Sequence, residues 1–144
     1  MTKYCIIICG GGGKTTLYEN YSDKFLDIDY FIKENNKNIC NCFSNDKIDI
    51  QMIDNIYQSE MKNNLKLRND KRILLVYRRN NAILLDREIL LIAKPSKNLH
   101  EKNISSRKEP FKNLARNDWL NIEGPDVFIY NNFEELYDKI FSIS

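Results

Sequence analysis

A run of four glycines, directly after a continuous apolar stretch, is the feature that most constrains this chain. Ile6, Ile7 and Ile8 are β-branched and uninterrupted, which is typical of a strand buried on both faces of a parallel sheet. The glycines end that strand, and the pattern predicts a short helix at residues 16–20. A strand that passes through glycines into a helix predicts an α/β fold with this loop at the carboxyl edge of the sheet.

The residue types of the loop are suited to binding a polyphosphate. Glycines let the backbone bend so that its N–H groups point inward, and the following helix adds its positive N-terminal end. Lys14 supplies a mobile charge for the β- and γ-phosphates of ATP, and the Thr15 hydroxyl can ligate the Mg²⁺ that bridges them. The predicted phosphate-binding residues are Gly10, Gly11, Gly12, Gly13, Lys14, Thr15 and Thr16.

This run resembles the Walker A motif of the P-loop NTPases, G-x-x-x-x-G-K-[ST], with Ile8 standing where the first glycine belongs. The dinucleotide fingerprint G-x-G-x-x-G fails, because a start at Gly10 or Gly11 would need a glycine at Thr15 or Thr16. A glycine-rich turn that binds nothing is the alternative. The position of the loop after a buried strand favours phosphate binding.

Two carboxylates follow at the end of a second predicted strand, which covers residues 24–29. Because alternate strand residues share a face, Asp27 and Asp29 are expected to point together into the space beside the glycines. Asp27 is the predicted metal ligand with Thr15, and Asp29 is predicted to orient the hydroxyl of an acceptor. A polar strand end that caps the next helix is the alternative.

The rest of the hydrophobic pattern alternates between helices and strands. Further strands are predicted at residues 72–77, 89–93 and 126–130, with residues 80–88 as a short connection. Helices are predicted at residues 30–36, 46–68, 96–107, 110–123 and 132–141. This order predicts one α/β domain over residues 1–144, a three-layer sandwich around a five-stranded parallel sheet.

The Walker A run followed by Phe-Leu-Asp-Ile-Asp-Tyr-Phe-Ile is similar to the small P-loop kinases of the shikimate, gluconate and nucleoside-monophosphate kinase type. The resemblance covers nearly the whole chain and implies a D-x-D after strand two and an arginine-bearing lid after strand four. The lid would fall at about residues 96–121, within a basic stretch of the chain. Arg107 is the implied lid arginine, and Lys102, Lys108 and Arg116 are weaker candidates. A solvated helix face is the alternative.

Two arginines end the third predicted strand. A guanidinium of Arg78 or Arg79 could bind the phosphate or carboxylate of an acceptor through two hydrogen bonds, or could simply end a buried strand with charge. No aspartate ends strands three and four, where many P-loop NTPases keep a Walker B carboxylate. That excludes most motor ATPases and GTPases.

Composition excludes other classes of protein. The net charge of +2 over 144 residues argues against binding to nucleic acid, and the longest stretch without a polar side chain, residues 4–9, is too short to span a bilayer. The four cysteines (Cys5, Cys9, Cys40, Cys42) lack zinc-site spacing, so reduced thiols and a cytoplasmic location are expected. His100 is expected on a helix surface, and Trp119 is expected to pack the last crossover helix.

The sequence therefore predicts an ATP- and Mg²⁺-dependent phosphotransferase, a kinase acting on a small acceptor such as a nucleoside monophosphate or a deoxynucleotide. The predicted catalytic residues are Lys14, Asp27, Asp29 and Arg107, and the predicted acceptor contacts are Asp29, Arg78 and Arg79. One alternative is a P-loop fold retained as a nucleotide-binding or structural subunit of a larger assembly. Another is a kinase acting on polynucleotide ends.

Overall fold

The structure, a computed structural model, describes residues 2–42 and 49–144. Within these ranges the strands are β1 (Tyr4–Ile8), β2 (Phe25–Asp27), β3 (Ile73–Val76), β4 (Glu88–Pro95) and β5 (Val127–Tyr130). The helices are α1 (Lys14–Asn20), α2 (Ile28–Asn35), α3 (Asn38–Asn41), α4 (Ile50–Asn63), α5 (Leu65–Arg68), α6 (Arg79–Leu85), α7 (Lys97–Ile104), α8 (Glu109–Asn121) and α9 (Phe133–Ile143).

The strands form one parallel sheet in the order β2-β3-β1-β4-β5. Strand β1 lies at the centre, where Ile6 pairs with Leu75 of β3 and with Leu91 of β4. Because all strands run the same way, the segments that follow β1, β2, β3 and β4 meet at one edge of the sheet. The predicted α/β class and five-stranded parallel sheet are confirmed.

Hydrophobic cores cover both faces of the sheet. Alternate residues of β1 enter different cores: Cys5 and Ile7 pack on the side of α2, α4 and α8, whereas Ile6 and Ile8 pack on the side of α1 and α9. All four side chains are fully buried. A strand buried on both faces explains why its sequence is continuously apolar. The helices thus form an outer layer on each side of the sheet.

The cysteines with described side chains are buried free thiols: Cys5, Cys9 and Cys42. The side chain of Cys40 lies outside the described part of the structure. Burial is the main cause that raises the pKa of Cys5 and of Cys9 to about 11. Both therefore stay protonated at neutral pH, where they are poor metal ligands and poor nucleophiles.

The predicted connection at residues 80–88 was wrong, because a helix, α6, occupies most of it. The buried Asn81 causes the turn: its side-chain oxygen accepts hydrogen bonds from the backbone N–H groups of Tyr77 and Arg78, at 3.1 and 2.9 Å. Ala82 and Leu85 then share one buried face. The helix was not recognised from the sequence because it is only seven residues long and has two adjacent asparagines near its start, which interrupt the helical spacing of apolar residues.

The long helix predicted at residues 46–68 is divided. Asn64 ends α4 and caps α5, since its side-chain oxygen accepts a hydrogen bond from the Leu67 N–H at 3.1 Å. The predicted start at residue 46 lies outside the described residues, and within them α4 begins after its cap Asp49. Asn38–Asn41 form the short α3, which the sequence analysis does not predict.

Every helix within residues 2–42 and 49–144 is too short or too polar to cross a membrane.

Candidate active site

A cavity of about 910 Å³ opens at the carboxyl edge of the sheet. The segments after β1 and β3 form its floor, and α2, α4, α7 and α8 supply its walls. Its polar and charged lining residues are Lys14, Thr15, Thr16, Asp29, Lys33, Asp54, Tyr57, Tyr77, Arg78, Asn103, Arg107 and Asp118. The cavity brings together most of the site residues predicted from the sequence.

The loop that follows β1, residues 9–13, is called the glycine loop below. Gly11 and Gly13 have backbone φ angles of 82° and 100°, which residues other than glycine rarely adopt. At Gly12, an added Cβ would lie 2.3 Å from the Ile8 Cγ2 atom. The loop closes with a hydrogen bond of 3.0 Å from the Gly12 N–H to the Cys9 carbonyl. This backbone path therefore requires glycine.

Side chains from α7 and β5 hold three successive carbonyls of the glycine loop. His100 Nε2 donates to the Gly10 carbonyl at 2.8 Å, and Asn103 Nδ2 donates to the Gly11 carbonyl at 2.9 Å. The Tyr130 hydroxyl donates to the Gly12 carbonyl. In a trans peptide the N–H points opposite to the carbonyl, so these bonds also fix where the next N–H groups point. These hydrogen bonds to its carbonyl groups thus fix the conformation of the loop before a ligand binds.

The prediction of His100 as a surface residue was wrong, because only 2% of the residue is exposed. Its ring stacks on Trp119, with an angle of 26° between the planes, and Trp119 packs as predicted, against the core on the side of α2, α4 and α8. Burial lowers the pKa of His100. The neutral imidazole carries its proton on Nε2, since a carbonyl can only accept. The partner of His100, the Gly10 carbonyl, lies 90 residues away in the chain, so the local sequence around His100 does not indicate this contact.

We expect His100→Phe to weaken ATP binding by about 5- to 10-fold, which corresponds to the free energy that one buried hydrogen bond contributes. Phenylalanine keeps the stacking on Trp119 but leaves the Gly10 carbonyl without its donor. His100→Gln is the matched variant, because its amide can still donate. Calorimetric titration with ATP should show the loss in His100→Phe and recovery in His100→Gln. Equal affinities in both variants would contradict a positioning role for His100.

Lys14 lies at the start of α1 with only 6% of the residue exposed. Its Nζ atom donates to the Ile8 carbonyl at 3.0 Å and lies 3.6 Å from Asp29 Oδ2. The Ile8 side chain is fully buried in the core on the side of α1 and α9, and its Cγ2 atom packs against the glycine loop at Gly12. An isoleucine at this position therefore belongs to the core beneath the loop, and its carbonyl accepts the bond from Lys14.

The two aspartates reach the glycine loop by a different route from the one predicted. Strand β2 ends at Asp27, which caps α2 by accepting a hydrogen bond of 3.0 Å from the Asp29 N–H. Asp29 lies in the first turn of that helix, so the argument from alternating strand residues was wrong. The helix cap nevertheless leaves the Asp27 carboxylate 3.5 Å from the Thr15 hydroxyl and Asp29 beside Lys14.

Thr15 and Asp27 are the oxygen donors that could hold Mg²⁺. This ion is usually bound through one or two protein oxygens and completes its octahedron with phosphate oxygens and water. The described ranges contain no group of three or more His, Cys, Asp or Glu side chains arranged to hold a metal. A metal held by these two donors would therefore take its remaining ligands from phosphate oxygens and water.

Asp27 makes the stability of the fold dependent on pH. Burial first, and then the charge of Asp29, raise the pKa of Asp27 from 3.8 to about 6. The folded chain thus holds this proton more tightly than the unfolded chain does. The resulting stabilisation is complete below about pH 4 and is lost as the pH rises through about 6.

Asp27→Asn is expected to raise the free energy of unfolding at pH 8 by roughly 1 to 3 kcal/mol, with little effect at pH 4. Asparagine can still accept the cap hydrogen bond from Asp29 but carries no buried charge. Urea unfolding at the two pH values measures the difference. A variant less stable than the wild type at pH 8 would show that the ionised carboxylate stabilises the fold.

Arg78 lies between two carboxylates that the sequence analysis did not identify. Its guanidinium is 3.5 Å from Asp54 Oδ1 on α4 and 3.2 Å from Asp118 Oδ1 on α8, and it lies over the Tyr77 ring. Burial raises the pKa of Asp118. These partners are 24 and 40 residues from Arg78 along the chain, so no local pattern connects them.

The remaining predicted cations fall into two groups. Arg107 lines the cavity from the exposed turn between α7 and α8. Arg79 lies outside the cavity, where it donates to both carboxylate oxygens of Asp126 at 2.8 Å, and Arg116 is paired with Glu101. The structure therefore does not bring Arg79 to the site.

The predicted lid segment is held down at both ends. Near its start, His100 and Asn103 on α7 bond to the glycine loop. Near its end, Trp119 Nε1 on α8 donates to the Pro95 carbonyl at 2.7 Å. Residues 105–110 between these anchors are all exposed, and they include Arg107.

Neither protein-family models nor curated protein sequences match this chain. Among solved structures, the chain is similar to the unliganded crystal structure of a sugar kinase from Janibacter sp. HTCC2649, with a TM-score of 0.61. The alignment covers 99% of this chain and 94% of that chain at 15% sequence identity. The three-layer α/β architecture is therefore a kinase-like fold.

Proposed function

We propose that the protein is a phosphotransferase that uses ATP and Mg²⁺, and that the glycine loop is a P-loop. One observation carries the proposal: the ammonium group of Lys14 is held at the mouth of the loop, 3.6 Å from Asp29, inside a cavity of about 910 Å³. The Walker A resemblance and the kinase-like fold support it. We further propose a cytoplasmic location, where ATP is available and thiols stay reduced.

In the proposed reaction, an acceptor hydroxyl attacks the γ-phosphorus of ATP. A new bond forms between phosphorus and the acceptor oxygen, the bond to the bridging β,γ-oxygen breaks, and ADP leaves. Asp29 orients the hydroxyl and takes its proton. Lys14 and the loop amides stabilise the charge that develops on the phosphates.

Two further groups have proposed roles at the donor side. Thr15 and Asp27 hold Mg²⁺, which when bound neutralises charge on the β- and γ-phosphates. Arg107 closes over the transferred group from the exposed turn at residues 105–110 and excludes water. We propose that only this turn moves, because hydrogen bonds from His100 and Trp119 hold α7 and α8 in place.

The acceptor is proposed to be a small hydroxyl compound. The resemblance to small P-loop kinases favours a nucleoside monophosphate or a deoxynucleotide. The ion pairs of Arg78 favour an acceptor without a phosphate group. The two classes differ in charge, so paired acceptors with and without a phosphate group distinguish them.

ADP release in the presence of ATP, Mg²⁺ and a panel of hydroxyl compounds tests the proposal. We expect ADP release that depends on one class of acceptor, together with a product whose mass has increased by one phosphoryl group. ATP binding without transfer to any acceptor would favour the alternative of a nucleotide-binding subunit. No binding at millimolar ATP would leave only a structural role.

A further inference from the structure

We infer that the acceptor of the proposed phosphotransferase is an uncharged, hydroxyl-rich ring compound, a sugar or a nucleoside, and not a phosphate ester. This inference rests on the proposed function and concerns the half of the cavity around Arg78.

Two carboxylates accept hydrogen bonds from three of the five N–H groups of Arg78 and compensate its charge. Its Nε and Nη2 atoms donate to Asp118 Oδ1 at 3.3 and 3.2 Å, and its Nη1 atom donates to Asp54 Oδ1 at 3.5 Å. Arg79, the other arginine after β3, is bound to Asp126 outside the cavity. An anionic acceptor at Arg78 would compete with Asp54 and Asp118 for the charge of the guanidinium.

The balance of charge also disfavours an anion. The donor phosphates engage Lys14 and Arg107, which are the cations beside the glycine loop. The other charged lining residues are Asp29, Asp54 and Asp118 against Arg78 and Lys33. Asp29 is paired with Lys14, and the other four groups balance to zero net charge, so this half of the cavity has no excess of positive charge for a second phosphate group. A phosphate ester would therefore meet repulsion from the donor phosphates that these groups do not offset.

The same groups are suited to binding hydroxyls. Each carboxylate oxygen has more than one acceptor site, so Asp54 and Asp118 can accept hydrogen bonds from the hydroxyl groups of a sugar ring while they hold Arg78. The Tyr77 ring lies beneath the Arg78 guanidinium and meets the Tyr57 ring edge-on, with 5.8 Å between ring centres. Together with Phe111, these rings give the carbon face of a sugar or a base an apolar surface.

The test compares matched pairs of acceptors, such as a nucleoside and its 5′-monophosphate or a hexose and its phosphate ester. For the wild type we expect phosphotransfer to the uncharged member to exceed transfer to its ester at least 10-fold in kcat/KM. In the Asp54→Asn/Asp118→Asn variant, Arg78 loses both anionic partners and its charge is uncompensated, and we expect the KM for the ester to fall at least 10-fold. Asp54→Asn alone, at the longer ion pair, replaces the double variant if the latter does not fold.

Three results would overturn the inference. They are faster transfer by the wild type to the phosphate esters, no transfer to any uncharged member, and an unchanged preference in a folded variant with Arg78 released. Calorimetry with the non-hydrolysable analogue AMP-PNP and Mg²⁺ separates these results from failure of the proposed function. Retained nucleotide binding with a preference for esters contradicts only the inference, whereas loss of nucleotide binding contradicts the proposed function.

Discussion

Lys14→Ala is expected to reduce phosphotransfer from ATP by at least about 1,000-fold, because it removes the cation that compensates charge developing between the β- and γ-phosphates. The Lys14 ammonium is already held beside the loop by the Ile8 carbonyl and Asp29, so little reorganisation is needed when ATP binds. Steady-state ADP release with a saturating acceptor measures the loss.

Lys62→Ala is the matched control for Lys14→Ala, since Lys62 is an exposed lysine on α4 outside the cavity lining. It should retain the wild-type rate. Thermal unfolding of both variants should show that the fold is kept. If folded Lys14→Ala transfers phosphoryl groups at the wild-type rate, Lys14 is not part of the catalytic machinery.

Asp29→Asn is expected to lower kcat by about 100- to 10,000-fold, the usual contribution of a general base. Asparagine can still contact an acceptor hydroxyl but cannot take its proton. The backbone N–H of residue 29, which donates to Asp27, is unaffected by the substitution. The Lys14 ammonium loses its ion pair with Asp29 but keeps its hydrogen bond to the Ile8 carbonyl, so the affinity for ATP with Mg²⁺ should change less than kcat. Parallel kinetic and calorimetric titrations measure the two quantities.

Asp138→Asn controls for the loss of a carboxylate elsewhere, because Asp138 is exposed on α9, remote from the cavity lining. It should leave both kcat and the affinity for ATP unchanged. An unchanged kcat in Asp29→Asn, combined with weaker nucleotide binding, would assign Asp29 to the donor site instead of the acceptor.

The features that could be predicted from the sequence are those encoded locally. The glycine loop, Lys14 and Thr15 are adjacent in the chain, and a continuously apolar β1 identifies a central parallel strand without knowledge of its neighbours. Asp27 and Asp29 were also identified, although a helix cap and not strand alternation brings them to the loop. Each of these signals lies within a few residues of the chemistry it predicts.

The features that could not be predicted depend on contacts between distant segments. Asp54 and Asp118 are ordinary acidic residues of amphipathic helices until the fold brings them to Arg78. His100 and Tyr130 meet the glycine loop across 90 and 118 residues of sequence. Arg79 differs from Arg78 by one position, yet it begins α6 and points to Asp126.

Backbone amide shifts in ¹⁵N-resolved NMR spectra, recorded while AMP-PNP and Mg²⁺ are added, test most directly whether the glycine loop binds a triphosphate. The largest changes are expected at the N–H groups of residues 11–16, with smaller changes at His100 and Asn103, whose side chains hold the loop carbonyls. Lys14→Ala should show much weaker changes at the same nucleotide concentration. Unchanged loop amides at millimolar nucleotide, or changes confined to another face of the sheet, would contradict the account.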